Sequence, residues 1–133
     1  MSDRFSISLR LLHPRMRHEE IINKIGLNAC VGHTVGEARR SPLGNELGGK
    51  YRETMVVIDV VEKDGYFVDE IAQVLSDLER NSDYFVRLVE TGGSVTLYVG
   101  VFFKGRSGFE LNLDCISKMK EMCIDLSVEY YAD

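Results

Sequence analysis

The chain has 133 residues, 44% apolar and 28% charged, which is enough to bury a core within one domain and too well balanced for a disordered segment. Its formal net charge of −5, from 21 acidic and 16 basic residues, excludes the surplus of Lys and Arg that bulk binding to nucleic acid or to an anionic membrane requires. The strongest apolar stretch, Met55 to Val61, is interrupted by Asp59 and falls far short of the ~20 residues that span a bilayer.

The N-terminus runs directly into a strand pattern, with no basic segment followed by an apolar one, so the expectation is a cytoplasmic chain without a secretory leader. In that strand Phe5, Ile7, Leu9 and Leu11 alternate with Arg4, Ser6, Ser8 and Arg10, the period of two of a half-buried strand. After His13-Pro14, the spacing of Ile21, Ile22 and Ile25 predicts a short helix from Arg17 to Ile25, stopped by Gly26. Residues 28–50 are broken by five glycines and Pro42, and are expected to be loop with a short extended piece near Thr34 to Arg39. Tyr51 to Glu62 is rich in Val and Ile and reads as a central strand. A helix follows on Phe67, Val68, Ile71, Val74, Leu75 and Leu78.

Tyr84 to Val89 is aromatic and β-branched, and Gly92-Gly93 separates it from the alternating run Val95, Leu97, Val99, Val101, Phe103. That arrangement predicts a β-hairpin, with a short helix at 83–90 as the alternative. Gly105 to Gly108 reads as a turn, and Phe109 to Leu111 as a short strand. Asn112 is placed as the N-cap of a helix carrying Ile116, Met119 and Cys123. A last strand has Leu126, Val128 and Tyr130 on one face. The expected fold over residues 1–133 is therefore a single α+β domain: a mostly antiparallel sheet with helices packed on one face, ferredoxin-like in style, with a mixed sheet as the alternative.

Gly44-Asn45-Glu46-Leu47-Gly48-Gly49-Lys50-Tyr51 matches a phosphate loop except at its last position, where a phenol replaces the hydroxyl that would meet magnesium. It also precedes a strand, whereas a phosphate loop opens a helix. No nucleotide or other cofactor is expected. Arg39 and Arg40, with Lys50 and Arg52, give the same loop, residues 36–52, a second reading as a small-ligand or anion site, although Glu37, Glu46 and Glu53 offset most of the charge. Cys30, Cys115 and Cys123 form no CxxC pair and are expected as free thiols. The lone CxxH spacing of Cys30 and His33 does not complete a metal site, so no metal is expected.

Asp59 is the exception within its strand. If Val56, Ile58 and Val60 face the helices, Asp59 must face the other side of the sheet, towards water or towards Arg4 and Arg10. That second face assembles Arg4, Ser6, Ser8, Arg10, Val57, Asp59, Val61, Thr96, Tyr98, Gly100, Phe102, Ser127, Glu129 and Tyr131. Aromatic and Arg side chains anchor protein interfaces. The expected function is therefore a non-catalytic protein-binding module, its site drawn from Arg4, Arg10, Asp59, Tyr98 and Phe102. The partner is a protein of basic charge or a second copy of the chain.

The stretch Gly36-Glu37-Ala38-Arg39-Arg40, Pro42, Gly44-Asn45, Leu47-Gly48-Gly49 and Tyr51-Arg52-Glu53, together with the opening strand, Pro14 and the closing helix and strand, resembles the uncharacterised bacterial family DUF4279. The resemblance supplies no activity. It implies, in some bacterial contexts, a role as an immunity protein against toxins.

Overall fold

The computed structural model describes residues 3–103 and 108–132; residues 104–107, where the turn after the alternating run was expected, lie outside the described residues. A five-stranded sheet has the order β2-β5-β1-β6-β7, built from β2 (Val31–His33), β5 (Thr54–Asp64), β1 (Arg4–His13), β6 (Ser94–Phe103) and β7 (Ile124–Ala132). A separate hairpin pairs β3 (Ala38–Arg40) with β4 (Glu46–Lys50). Among the described residues four α-helices connect the strands: α1 (His18–Ile25), α2 (Val68–Leu78), α3 (Ser82–Glu90) and α4 (Leu113–Glu121).

Every neighbouring pair in the main sheet is antiparallel except β6 and β7, which are parallel. It follows that β1 and β2 point the same way with β5 between them, and β5 and β6 point the same way with β1 between them. These are two interlocked split β-α-β units, the ferredoxin-like arrangement. The β3–β4 hairpin is inserted between the second and third of those strands, and α4 with β7 extends the sheet beyond the fourth. The α+β, mostly antiparallel expectation holds, with one parallel pair supplied by the α4 crossover.

The core lies on one face of the sheet. β1 supplies Phe5, Ile7, Leu9 and Leu11, and β6 supplies Val95, Leu97, Val99 and Val101, all at most 3% exposed. Against them pack Ile21 and Ile25 of α1, Ile71 and Leu75 of α2, Phe85 and Leu88 of α3, and Cys115 and Met119 of α4. Burying one such large aliphatic or aromatic side chain is worth about 1.5–3 kcal/mol. Gly26 takes the left-handed conformation at the end of α1, and Asn112 caps α4 by accepting the Cys115 amide at 2.9 Å.

Four local expectations are corrected. Residues 82–90 form α3, not a hairpin strand. Tyr84, Phe85 and Leu88 follow helical spacing, a 3₁₀ turn at Glu79–Asn81 continues the chain from α2, and the Gly93 amide closes the end on Leu88 O at 2.9 Å. The loop before the central strand contains β2 and the β3–β4 hairpin, while that strand begins at Thr54 rather than Tyr51. Phe109 to Leu111 form no strand; the Glu110 amide donates to Tyr66 Oη and the Phe109 ring packs edge-on to Phe67. Ile116 is 47% exposed and Cys123 has left the helix at φ 59°, so Cys115, Met119 and Met122 carry the buried contacts of that segment.

Candidate binding face

Among the described residues, no helix packs against the other face of the sheet. The register places Val57, Arg10, Thr96 and Asp125 in one row, Asp59, Ser8, Tyr98 and Ser127 in the next, then Glu62, Ser6, Gly100 and Glu129, then Asp64, Arg4, Phe102 and Tyr131. Gly100 alone among these is buried. Here the alternation of β1, β6 and β7 does what the sequence pattern implied.

β5 departs from it. Ile7 pairs with Val61 and Ser8 with Asp59, so Val60 has no partner and forms a β-bulge. The extra residue reverses the alternation beyond it. Val61, expected on the open face, turns back against the core, Val60 is 37% exposed instead of buried, and Glu62 joins the open face. Arg4 therefore pairs with Glu62, not with Asp59. β2 spans only three residues, so β5 is left as an edge from Ile58 onward. A cleft of about 540 Å³ opens there between Asp59 and Val60 on one side and Val74, Asp77 and Arg80 on the other.

Asp59 is exposed, as expected, but its neighbour is Cys30. The thiol donates to Val57 O at 3.3 Å, and its pKa is raised by shielding from water first and by the Asp59 charge second.

The centre of the face is a hydrogen-bonded aromatic cluster. The Arg10 guanidinium lies 4.8 Å from the centre of the Tyr98 ring, within cation–π range. Tyr131 donates its hydroxyl to Glu129, and its ring stacks on Phe102 at 5.0 Å and 22°. Hydrogen bonding to Glu129 is the main cause that raises the Tyr98 phenol, with Tyr131 second. The Glu129 carboxyl is lowered by the hydrogen bond from Tyr131, then by that from Tyr98, with the Arg10 charge adding to both. Gly100 makes room: a Cβ there would stand 3.3 Å from Ser6 Oγ and 3.4 Å from Tyr131 Cε2.

Arg10 and Tyr98 are thus in contact, Phe102 joins them through Tyr131 and Glu129, Arg4 lies directly opposite Phe102 on the neighbouring strand, and Asp59 lies towards the β5 edge. Arg39 and Arg40 sit apart from this face, in β3. The Arg40 guanidinium donates to Gly44 O at 3.2 Å and lies 3.8 Å from Glu46, so it serves the hairpin's own turn. Gly44 and Tyr51 bracket β4 and no helix follows, which removes the amide cradle of a phosphate loop. Glu62 escaped the sequence reading because a bulge leaves no mark on composition. Val31 and His33, paired with Val57 and Met55, escaped because β2 is too short to show alternation.

No helix among the described residues is long and apolar enough to cross a membrane. The family model described as Domain of unknown function (DUF4279) matches residues 3–133. No curated protein matches the chain.

Proposed function

We propose that this chain, which belongs to the DUF4279 family, is a non-catalytic, cytoplasmic, bacterial protein-binding module whose open sheet face engages a basic protein. The observation that carries this reading is the composition of that face. Tyr98, Phe102 and Tyr131 form a central aromatic surface, held by Glu129 and Arg10. Pre-ordered aromatics lose little conformational freedom on binding and are typical anchors.

The charge around that centre selects the partner. Asp59, Glu62, Asp64, Asp125 and Glu129 lie on the face against Arg4 and Arg10, and Arg4 is already paired with Glu62. Two such faces repel one another, which favours a basic partner over a second copy. An immunity role against a toxin is one form that such a partnership takes.

Affinity capture from native extract identifies the candidate partner, and the deciding measurement uses that partner purified. Phe102→Ala should weaken its binding by about 2 kcal/mol or more, as for an interface anchor, and added salt should slow association. An unchanged affinity for Phe102→Ala and for Tyr98→Phe would refute the face as the site.

A further inference from the structure

Beyond the short β2, the outer edge of β5 runs on with no neighbour. The Cys30 amide donates to Val57 O at 2.9 Å, so the backbone groups of Val57 point away from β1. The Asp59 amide faces the Cys30 sulfur on that same side. At the other end of β5 the Gly65 amide donates to Asp3 O at 2.7 Å, towards the start of β1. Between these anchors, backbone alternation and the single bulge at Val60 leave the N–H and C=O groups of Glu62 and Asp64, with the Asp59 carbonyl, on the outer edge. Among the described residues no strand pairs with them.

A groove flanks this bare edge on each face of the sheet. On the helix side lies the cleft of about 540 Å³, where Leu27, Ile58, Val60, Val74 and Leu78 supply apolar surface beside Asp77. On the open side a hollow of about 350 Å³ lies at the bulge, lined by Ser6, Ser8, Asp59 and Glu62. Val60, 37% exposed, borders both. Successive side chains of a strand point to opposite faces. A strand laid along the edge therefore sends one set of side chains into the apolar cleft and the other into the acidic hollow.

We propose that the β5 edge from Asp59 to Asp64 takes up an extended segment of a partner protein, with apolar and basic side chains in alternation, as an added strand. In this mode of recognition main-chain hydrogen bonds supply affinity, and pockets for alternate side chains supply selection. Charge decides the occupant. Asp59, Glu62 and Asp64 hold the edge-facing positions and carry their side chains on the open face. Arg4 meets Glu62 in a pair more than half exposed, and Lys63 is taken by Glu70. Antiparallel pairing of this edge with that of a second copy sets acid opposite acid, which is destabilising. Bulges and charges are devices by which strand edges avoid self-association. Here they keep two copies apart and leave the edge open to a strand of opposite charge. This surface is separate from the Tyr98, Phe102 and Tyr131 centre and does not rest on it.

The test titrates a short, capped peptide of alternating lysine and valine into the full chain, followed by backbone NMR. The expected result is saturable binding that moves the Asp59, Glu62 and Asp64 amides and slows hydrogen exchange at Glu62 and Asp64. An analogue of the same charge, N-methylated along its centre, should bind about tenfold more weakly or worse. The same loss is expected in Glu62→Pro, since the missing N–H faces out of the sheet, where proline is tolerated. Phe102→Ala should bind the peptide as wild type does, so failure at the aromatic centre and failure at the edge are read separately. If Glu62→Pro does not fold, Asp59→Lys takes its place with the same expectation. No saturable binding, equal binding of the N-methylated analogue, equal binding of a peptide alternating glutamate and valine, or shifts confined to Tyr98, Phe102 and Tyr131 would overturn the proposal.

Discussion

Asp59→Asn perturbs the open face and Cys30 together, with a small expected effect on stability and a downward one on the Cys30 pKa. The carboxylate is exposed, and the nearby cations are engaged elsewhere, Arg4 with Glu62 and Arg10 over Tyr98. Removing the charge therefore strands no buried partner, and an interaction of this exposure is worth about 0–1 kcal/mol. Urea unfolding should show a loss within about 1 kcal/mol. The same substitution removes a negative charge that raises the Cys30 pKa, so the thiolate should form at lower pH in the variant. Burial, the larger cause, remains, so the thiol should stay above its ordinary value. The assay is the pH profile of Cys30 alkylation in a background lacking Cys123. A stability loss above about 3 kcal/mol would reveal a buried charge pair at Asp59 and refute the open face. A Cys30 profile that stays still or moves to higher pH would refute the placement of the carboxylate beside the thiol.

Two further outcomes follow from packing and protonation. At Gly93 a Cβ would stand 2.4 Å from the Leu12 carbonyl oxygen and 2.5 Å from Leu88 Cδ2, so Gly93→Ala should cost at least about 1–3 kcal/mol by thermal or urea unfolding; wild-type stability would show that the α3–β6 connection is misplaced. His13 is buried, its Nδ1 accepts the amides of Arg15 and Met16 at 3.0 Å, and its Nε2 meets Thr91 Oγ1 at 2.9 Å, so burial first and the Arg15 charge second hold its pKa below the usual value. Because the folded pKa lies below the unfolded value of about 6.5, the unfolded chain binds more protons between the two. The His13 contribution is thus complete above about pH 6.5 and is lost as pH falls through the folded value. The stability difference between wild type and His13→Asn should shrink over that fall; a difference independent of pH would contradict the neutral, amide-accepting ring.

The alternations of β1, β6 and β7 were legible residue by residue, because burial on one side of a strand writes a period of two into the chain. The helices α1, α2 and α4 were legible for the same reason at a period near 3.6, and with them the α+β class and the Arg10, Tyr98 and Phe102 cluster. α3 was misread because aromatic and β-branched content suits a strand by propensity, while the three positions that decide it, Tyr84, Phe85 and Leu88, are set by what they pack against.

Other features exist only between segments far apart in the chain. The bulge at Val60 depends on β5 meeting β1 in one register, and it alone moved Val61 inward and gave Arg4 its partner Glu62. β2 is a strand only because Met55 to Val57 offers an edge to it, and its backbone brings Thr34 and Glu37 to His18. Local periodicity therefore determined, in β1, β6 and β7 and in β5 short of the bulge, which side chains lie inside and which lie on the open face. Which of those outward groups touch was decided by strand register and loop closure, since hydrogen-bond pairing between distant strands is a property of the folded sheet and not of any one segment.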